Sequence, residues 1–297
     1  GRVRARWMIM GRYTALGLIE TRGVAGLTQA TDAMNKAADV EMVSQFHIGG
    51  SFASVIVKGD AAAVETAVRA GRCELEKLCV VVASHSIARI DESVLAMLLA
   101  KQQPPDAIPA GLAIGVVETQ GAVGALEAAK QGLDAAGVDL SGFMGAGGGL
   151  MAACFQGSVS DVRAAVKAAE TACRPITKVY GTTVIPAPNP GLHRSFSRNY
   201  RDGFDLTSRA VGVLETMGFV ALLEATDAAL DTADVAAGHW LAIGSGYNSI
   251  SYSGDVAAVR AAMSAAEAVA KSRERFVDSI IIPAPHAATA AVCGAAQ

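Results

Sequence analysis

Ala15-Leu16-Gly17-Leu18-Ile19-Glu20-Thr21-Arg22-Gly23 recurs as Ala113-Ile114-Gly115-Val116-Val117-Glu118-Thr119-Gln120-Gly121, and again as Ala210-Val211-Gly212-Val213-Leu214-Glu215-Thr216-Met217-Gly218. The offset is 98 residues from Glu20 to Glu118 and 97 from Glu118 to Glu215. Each copy opens with a short apolar run suited to a strand buried on both faces, and each closes on a glycine. Self-similarity at so long a fixed period signals repeated structural units and decides the fold before any local motif does. Other landmarks keep the same step. Val40 to Gly59 is 19 residues, as are Val138 to Gly157 and Val235 to Gly254; Gly59 to Ile87 is 28, as are Gly157 to Ile185 and Gly254 to Ile282. The 297 residues therefore divide into three units, expected at 12–100, 111–189 and 208–287, each just large enough to bury a small core.

Within the first unit, Thr14–Ile19 reads as a strand. Val24–Ala38 turns to helical spacing, with Leu27, Ala30, Thr31 and Met34 on one stripe. Val40–Phe46 and Phe52–Val57 read as strands around His47-Ile48-Gly49-Gly50-Ser51. Asp60 is an N-cap for a second helix running to about Leu78, with Val64, Ala67, Val68 and Leu75 inward, and Cys79–Ile87 is the last strand. The expected class is α+β: three tandem β-α-β-β-α-β units, each a split βαβ with helices packed on an antiparallel sheet. Between the units, Asp91–Leu99 reads as a short helix ended by Gln103-Pro104-Pro105. Asn189-Pro190-Gly191 leads into a second connection carrying Arg194, Phe196, Arg198, Tyr200 and Arg201.

Composition excludes several function classes. A net charge of −3 gives no general attraction to polyanions, and the one basic-aromatic connection is more simply a linker packing its rings on a neighbouring unit. No nucleic acid is expected. The five cysteines fall at different places in the repeats, giving neither a disulfide framework nor a zinc pattern, so a reducing cytoplasm fits. Arg2, Arg4 and Arg6 form a basic arm with no apolar stretch of signal-peptide length. The charge-free run between Asp139 and Asp161 has the length of a membrane span, but it is rich in glycine, and its counterparts carry Lys58 and Asp255. A strand–loop–strand reading is preferred, with no membrane partner.

No catalytic set recurs. His47, His85, His193, His239 and His286 are scattered, and no Ser/His/Asp or paired-carboxylate arrangement repeats. Glu20, Glu118 and Glu215 do repeat, and without a recurring partner they read as buried structural glutamates. Gly145-Ala146-Gly147-Gly148-Gly149 leads into a strand and not a helix, so it is no dinucleotide loop. The chain is expected not to be an enzyme and to need no cofactor.

Gly17–Gly23, Asp32-Ala33-Met34, Ile48-Gly49-Gly50 and Val57-Lys58-Gly59-Asp60 together resemble the bacterial microcompartment (BMC) shell domain in its unpermuted form. Ile185-Pro186-Ala187-Pro188 and Ile282-Pro283-Ala284-Pro285-His286 extend the resemblance to the other two units. It implies six domains around an axis in a flat tile, tiles joining edge to edge into a shell around enzymes. Three domains per chain would reach six as a homodimer, a pseudo-hexamer, since an open arrangement leaves self-complementary edges unpaired.

The same resemblance places a pore at the axis, lined by His47, Ile48, Gly49, Gly50 and Ser51, by Gly145, Ala146, Gly147, Gly148 and Gly149, and by Ala242, Ile243, Gly244, Ser245 and Gly246. Exposed loop N–H groups would suit anionic or polar metabolites, although glycines also make ordinary hairpins. His47 could add a pH-dependent charge at the rim of the pore. Tile edges are implied at Lys36 and Arg89, with Asp134 and Asp231 at the lysine position of the later units. Other BMC shell proteins and enclosed enzymes are the implied partners, and the shell within the cytoplasm the implied location. A small-molecule-sensing regulatory protein built from split βαβ units is the alternative.

Overall fold

The computed structural model describes residues 15–78, 81–91, 94–95, 111–192, 210–238 and 240–286, leaving out the side chains of 46 and 48. Its three units share one order of elements. The first contains β1 (Ala15–Arg22), α1 (Val24–Ala37), β2 (Glu41–Gly49), β3 (Phe52–Gly59), α2 (Ala61–Glu76) and β4 (Val81–Ile87). The second contains β5 (Ala113–Gln120), α3 (Gly121–Ala135), β6 (Asp139–Gly147), β7 (Leu150–Gly157), α4 (Val159–Cys173) and β8 (Val179–Ile185). The third contains β9 (Ala210–Met217), α5 (Phe219–Thr232), β10 (Ala236–Ala237), β11 (Leu241–Gly244), β12 (Tyr247–Gly254), α6 (Val256–Ser272) and β13 (Phe276–Ile282).

Each unit forms its own antiparallel sheet, ordered β2-β3-β1-β4, β6-β7-β5-β8 and β10-β12-β9-β13, with β11 also on β12. The recurring nonapeptide is the central strand each time. Its glutamate holds one register: Glu20 opposite Ser54, Glu118 opposite Ala152, Glu215 opposite Ser249. Helices cover the sheet at very short range. A Cβ on Gly17 would stand 2.7 Å from Val68 Cγ2, and one on Gly115 would meet Val162 and Val166 at 2.6 Å. The glycine in the central strand is therefore what lets the second helix lie against it.

Sequence patterning fixes the core. In α1 the stripe Leu27, Ala30 and Met34 is buried, and in α2 so are Val64, Ala67, Val68 and Leu75. Burial of such a Leu or Val contributes about 1.5–3 kcal/mol relative to exposure. The second helices of the first two units have side-chain caps: Ala63 N–H donates to Asp60 Oδ1 at 2.8 Å, and Asp161 N–H to Ser158 Oγ at 3.2 Å, while Asp255 at the start of α6 makes no such bond. Such a cap contributes about 1 kcal/mol. The first helices have no cap from their own unit; each begins at a glycine of positive φ, Gly23 at 80°, Gly121 at 85° and Gly218 at 92°.

Two local readings change. Strand β2 runs on through His47 to Gly49, so only Gly50 and Ser51 turn the hairpin. In the third unit the equivalent strand is split into β10 and β11. Of the expected helix Asp91–Leu99 only Asp91, Val94 and Leu95 are described, and Arg194 to Arg201 lie outside the described residues. The charge-free stretch is the β6–β7 hairpin and the start of α4, and among the described residues no helix is long and apolar enough to cross a membrane.

Candidate functional site at the seams between units

Two of the helix starts that lack a local cap, those of α3 and α5, are filled from the preceding unit. Glu20, at the end of β1, accepts from Ala122 N–H of α3 at 2.8 Å and from Ser54 Oγ at 2.7 Å. One unit on, Glu118 accepts from Phe219 N–H at 2.7 Å and Val220 N–H at 3.3 Å. A carboxylate at a helix N-terminus satisfies orphan N–H groups and opposes the positive end of the helix dipole. Both are buried, Glu20 to 0% exposure and Glu118 to 2%. Burial pushes both carboxyls above the usual range, and these hydrogen bonds pull only partly back. The glycines make room. A Cβ on Gly121 would stand 1.8 Å from Glu20 Oε1, and one on Gly218 would stand 2.9 Å from Glu118 Oε2.

Outward from these bonds the two seams use different groups. In the first, His85 of β4 meets Glu127 of α3 at 3.1 Å, and Gln131 Nε2 donates to the same carboxylate at 2.8 Å. Burial raises the Glu127 carboxyl, but the His85 and Gln131 bonds with the His85 and Lys130 charges outweigh it, leaving a net lowering. In the second, Thr183 Oγ1 donates to Glu224 of α5, and Arg273 Nε binds the same carboxylate at 2.6 Å while its Nη1 reaches Thr182 O at 3.2 Å. Apolar packing continues across both. Leu16, Leu18 and Ile87 share a cluster with Ala122, Val123 and Leu126; Met144, Ala146 and Leu150 share one with Phe219, Val220 and Leu223.

The three hairpin loops converge. Gly23 N–H donates to Ser51 O, Gly121 N–H to Gly149 O and Gly218 N–H to Gly246 O, at 2.7, 2.7 and 2.8 Å, so each first helix starts at its own loop. Neighbouring loops touch. A Cβ on Gly50 would stand 2.6 Å from the Gly148 carbonyl, and one on Gly148 would stand 2.3 Å from Gly246 N. Gly149 is covered by the Phe52 ring, which a Cβ would meet at 2.0 Å. His47, Gly49, Gly50, Ser51, Gly145, Ala242, Ile243 and Ser245 are exposed, Gly147, Gly148 and Gly244 are half-buried, and Ala146, Gly149 and Gly246 are buried; the Ile48 side chain lies outside the described residues. Ser51 sits at φ 69°, where the other units have Gly149 and Gly246.

Away from the loops, α1 carries Lys36 about 20 Å outward at 1.5 Å per residue. Lys36 pairs with Asp32 at 2.7 Å and is 75% exposed, Asp134 pairs with Lys130 at 2.5 Å, and Asp231 accepts from Asn189 Nδ2 at 2.8 Å. Asp231 is thus engaged by the segment that leaves the second unit. Arg89 is exposed just beyond β4. Among the described residues no group of three or more His, Cys, Asp or Glu is placed to hold a metal ion.

Sequence reasoning found the recurring glutamates but not their partners. The signal was present in Glu-Thr-x-Gly: glutamate and glycine recur together, and Glu20 and Glu118 each meet the glycine of the next unit. His85, Glu127, Thr183, Glu224 and Arg273 gave no such signal, since they differ between units.

A model of the BMC domain family matches residues 15–90, 113–188 and 210–285. The chain is similar to carboxysome shell protein CsoS1C of Hydrogenovibrio crunogenus (strain DSM 25203 / XCL-2), 44% identical over 93 residues, covering 31% of this chain and 91% of that protein. It is also similar to the major carboxysome shell protein CsoS1A of Halothiobacillus neapolitanus (strain ATCC 23641 / c2), 46% identical over 81 residues, 27% of this chain and 83% of that one. Among solved structures, a microcompartments protein from Desulfitobacterium hafniense DCB superposes with a TM-score of 0.51 at 28% identity, covering 61% of this chain and 98% of that one.

Proposed function

The chain belongs to the BMC domain family, and from that premise we propose that it is a microcompartment shell protein, two copies of which close head to tail into a ring of six units. The observation that carries this is an unfinished third seam. Three glutamates and three helix starts recur, and among the described residues two of each are joined inside the chain. Among the described residues nothing lies within 4 Å of a Cβ position at Gly23, where the other two glycines hold a carboxylate. Glu215 is only half-buried. The apolar groups around the two ends agree. Val24 is 52% exposed, where Ala122 is 0% and Phe219 is 2%; Tyr247 is 38% exposed, where Phe52 is 5% and Leu150 is 3%.

Head and tail are thus complementary halves of a contact made twice already. Pairing Glu215 of one copy with the α1 start of another, twice over, satisfies both ends and leaves none open. The loops then ring a central pore, with His47, Ile48, Gly49, Gly50 and Ser51, residues 145–149 and residues 242–246 at its margin. Glycine N–H groups there favour polar and anionic metabolites. Helix ends bearing Lys36, Asp134 and Asp231, with Arg89 near the first, face neighbouring tiles, so other shell proteins are the lateral partners and the shell is the location.

Sedimentation equilibrium with negative-stain imaging tests the ring. Two chains per particle and flat six-lobed outlines are expected. A chain that stays monomeric at the highest concentration would sink it.

A further inference from the structure

The two internal seams differ from each other outward of the glutamate, and the two free ends differ from both. Gln29, Glu127 and Glu224 hold one position, each six residues beyond the glycine that starts its helix. His85, Thr183 and Ile280 hold another, opposite Leu18, Val116 and Val213 in their sheets. Leu78, Ile176 and Arg273 hold a third, stepping by the same 98 and 97 residues. Inside the chain, an imidazole or hydroxyl meets a carboxylate at each seam: His85 on Glu127, Thr183 on Glu224 with Arg273 alongside. At the free ends the imidazole or hydroxyl is replaced by Ile280, the carboxylate by the Gln29 amide and the guanidinium by Leu78. Ile280 stands 56% exposed on the tail, and Leu78 stands 46% exposed on the head beside an uncharged Gln29.

We infer that the chain-to-chain joint has its own pairing code, Ile280 of one copy against Leu78 and Gln29 of the next, which selects a second copy of this chain as the partner. The inference rests on the head-to-tail ring and deepens it by naming what the joint accepts and refuses. Ile280 seated on a helix with a carboxylate at the Gln29 position would bury that charge with no donor from across the joint. The tail is therefore mismatched to helix faces like those of α3 and α5, and to any single-unit shell domain with an acid there. Conversely, where α3 and α5 present Glu127 and Glu224 the head presents the Gln29 amide, its nearest carboxylate, Glu74, being already shared between Gln29 and Lys77. Specificity arises from refusal as much as from attraction.

The experiment compares dilution series of full-length chains by sedimentation, with melting curves to establish folding. Gln29 is exposed in the single chain, so its variants keep the fold. Gln29 Nε2 lies 3.4 Å from Glu74 Oε2, so Gln29→Met serves as the neutral control beside Gln29→Glu. Gln29→Met is expected within about threefold of the parent dimer constant. Gln29→Glu is expected to weaken each joint about tenfold and, with two joints per ring, the dimer about a hundredfold. Gln29→Glu with Ile280→His, copying the His85–Glu127 pair, is expected to recover most of that loss. A parent chain that dimerises but is indifferent to Gln29→Glu, or a double variant no better than the single, would overturn the code and leave the ring standing. A parent chain that never dimerises would overturn the ring reading itself, and the code with it.

Discussion

The start of α3 and the start of α1 are built from the same local sequence and live in opposite surroundings. Gly121 at φ 85° is pressed by Glu20 and its helix face is buried, while Gly23 at φ 80° meets no described neighbour and Val24 is 52% exposed. Local sequence sets the helix and its positive-φ glycine in both; only the presence of a preceding unit decides whether the start is a buried contact or a free end. The same glycine can therefore matter to folding in one place and to association in the other.

Substituting both glycines should break that symmetry most visibly. Gly121→Ala puts a Cβ 1.8 Å from a buried carboxylate oxygen and should lose about 3–5 kcal/mol of the first seam's stability. Gly23→Ala meets no described neighbour and should cost only the backbone penalty of a glycine-only conformation (φ 80°, ψ 163°), about 1–3 kcal/mol. Its second effect should fall on dimer formation. Urea unfolding and sedimentation separate the two, and equal unfolding losses would refute the contrast.

The glutamates give the next largest difference. Glu118→Ala strands two buried N–H groups and should cost about 2–3 kcal/mol in unfolding. Glu215→Ala should leave chain unfolding within about 0.5 kcal/mol and weaken the dimer. A large unfolding loss at Glu215 would show that its partner lies within the chain.

Acidity sharpens the comparison within the chain. Glu118 is raised by burial, so the folded protein binds its proton more readily than the unfolded chain. Its contribution is fully present below the unfolded value near 4.5 and is lost as pH rises through the folded value. Glu127 is lowered on balance, so its contribution is present above 4.5 and lost as pH falls through the folded value. Relative to the parent, Glu118→Gln should gain least, or lose most, on the acid side, and Glu127→Gln should lose most near neutrality. Melting temperatures across that range decide it; slopes of one sign would refute the opposition.

The smallest effect on the fold belongs to the outer helix ends. Lys36→Ala removes one exposed ion pair and should change stability by less than about 1 kcal/mol. Disordered sheets by electron microscopy are the expected result if Lys36 joins tiles, and unchanged sheets would remove that role.

The repeat made the architecture legible before any coordinates: element order, the Asp60 cap, and the buried stripes of α1 and α2 all follow from periodicity. What periodicity reports is burial, not the identity of the covering group. Glu20 therefore read as buried and hydrogen-bonded, while Ala122, 102 residues away, did not read as its partner. The split of β10 and β11 was equally silent, because no proline or charge marks it. His85 on Glu127 and Thr183 on Glu224 were hidden for the reason that makes them informative: they are where the copies differ.

The placing of two seams inside one polypeptide bears on how a tile would come into being. Six separate units need repeated encounters, each exposed to dilution and to partial rings. In two such chains closed as proposed, four of the six contacts would form during folding, at effective concentrations set by the covalent connections and independent of the amount of protein. Closing the ring is then a single bimolecular event in which both remaining joints form together. The abundance of such a tile would follow the second power of chain concentration and not the sixth.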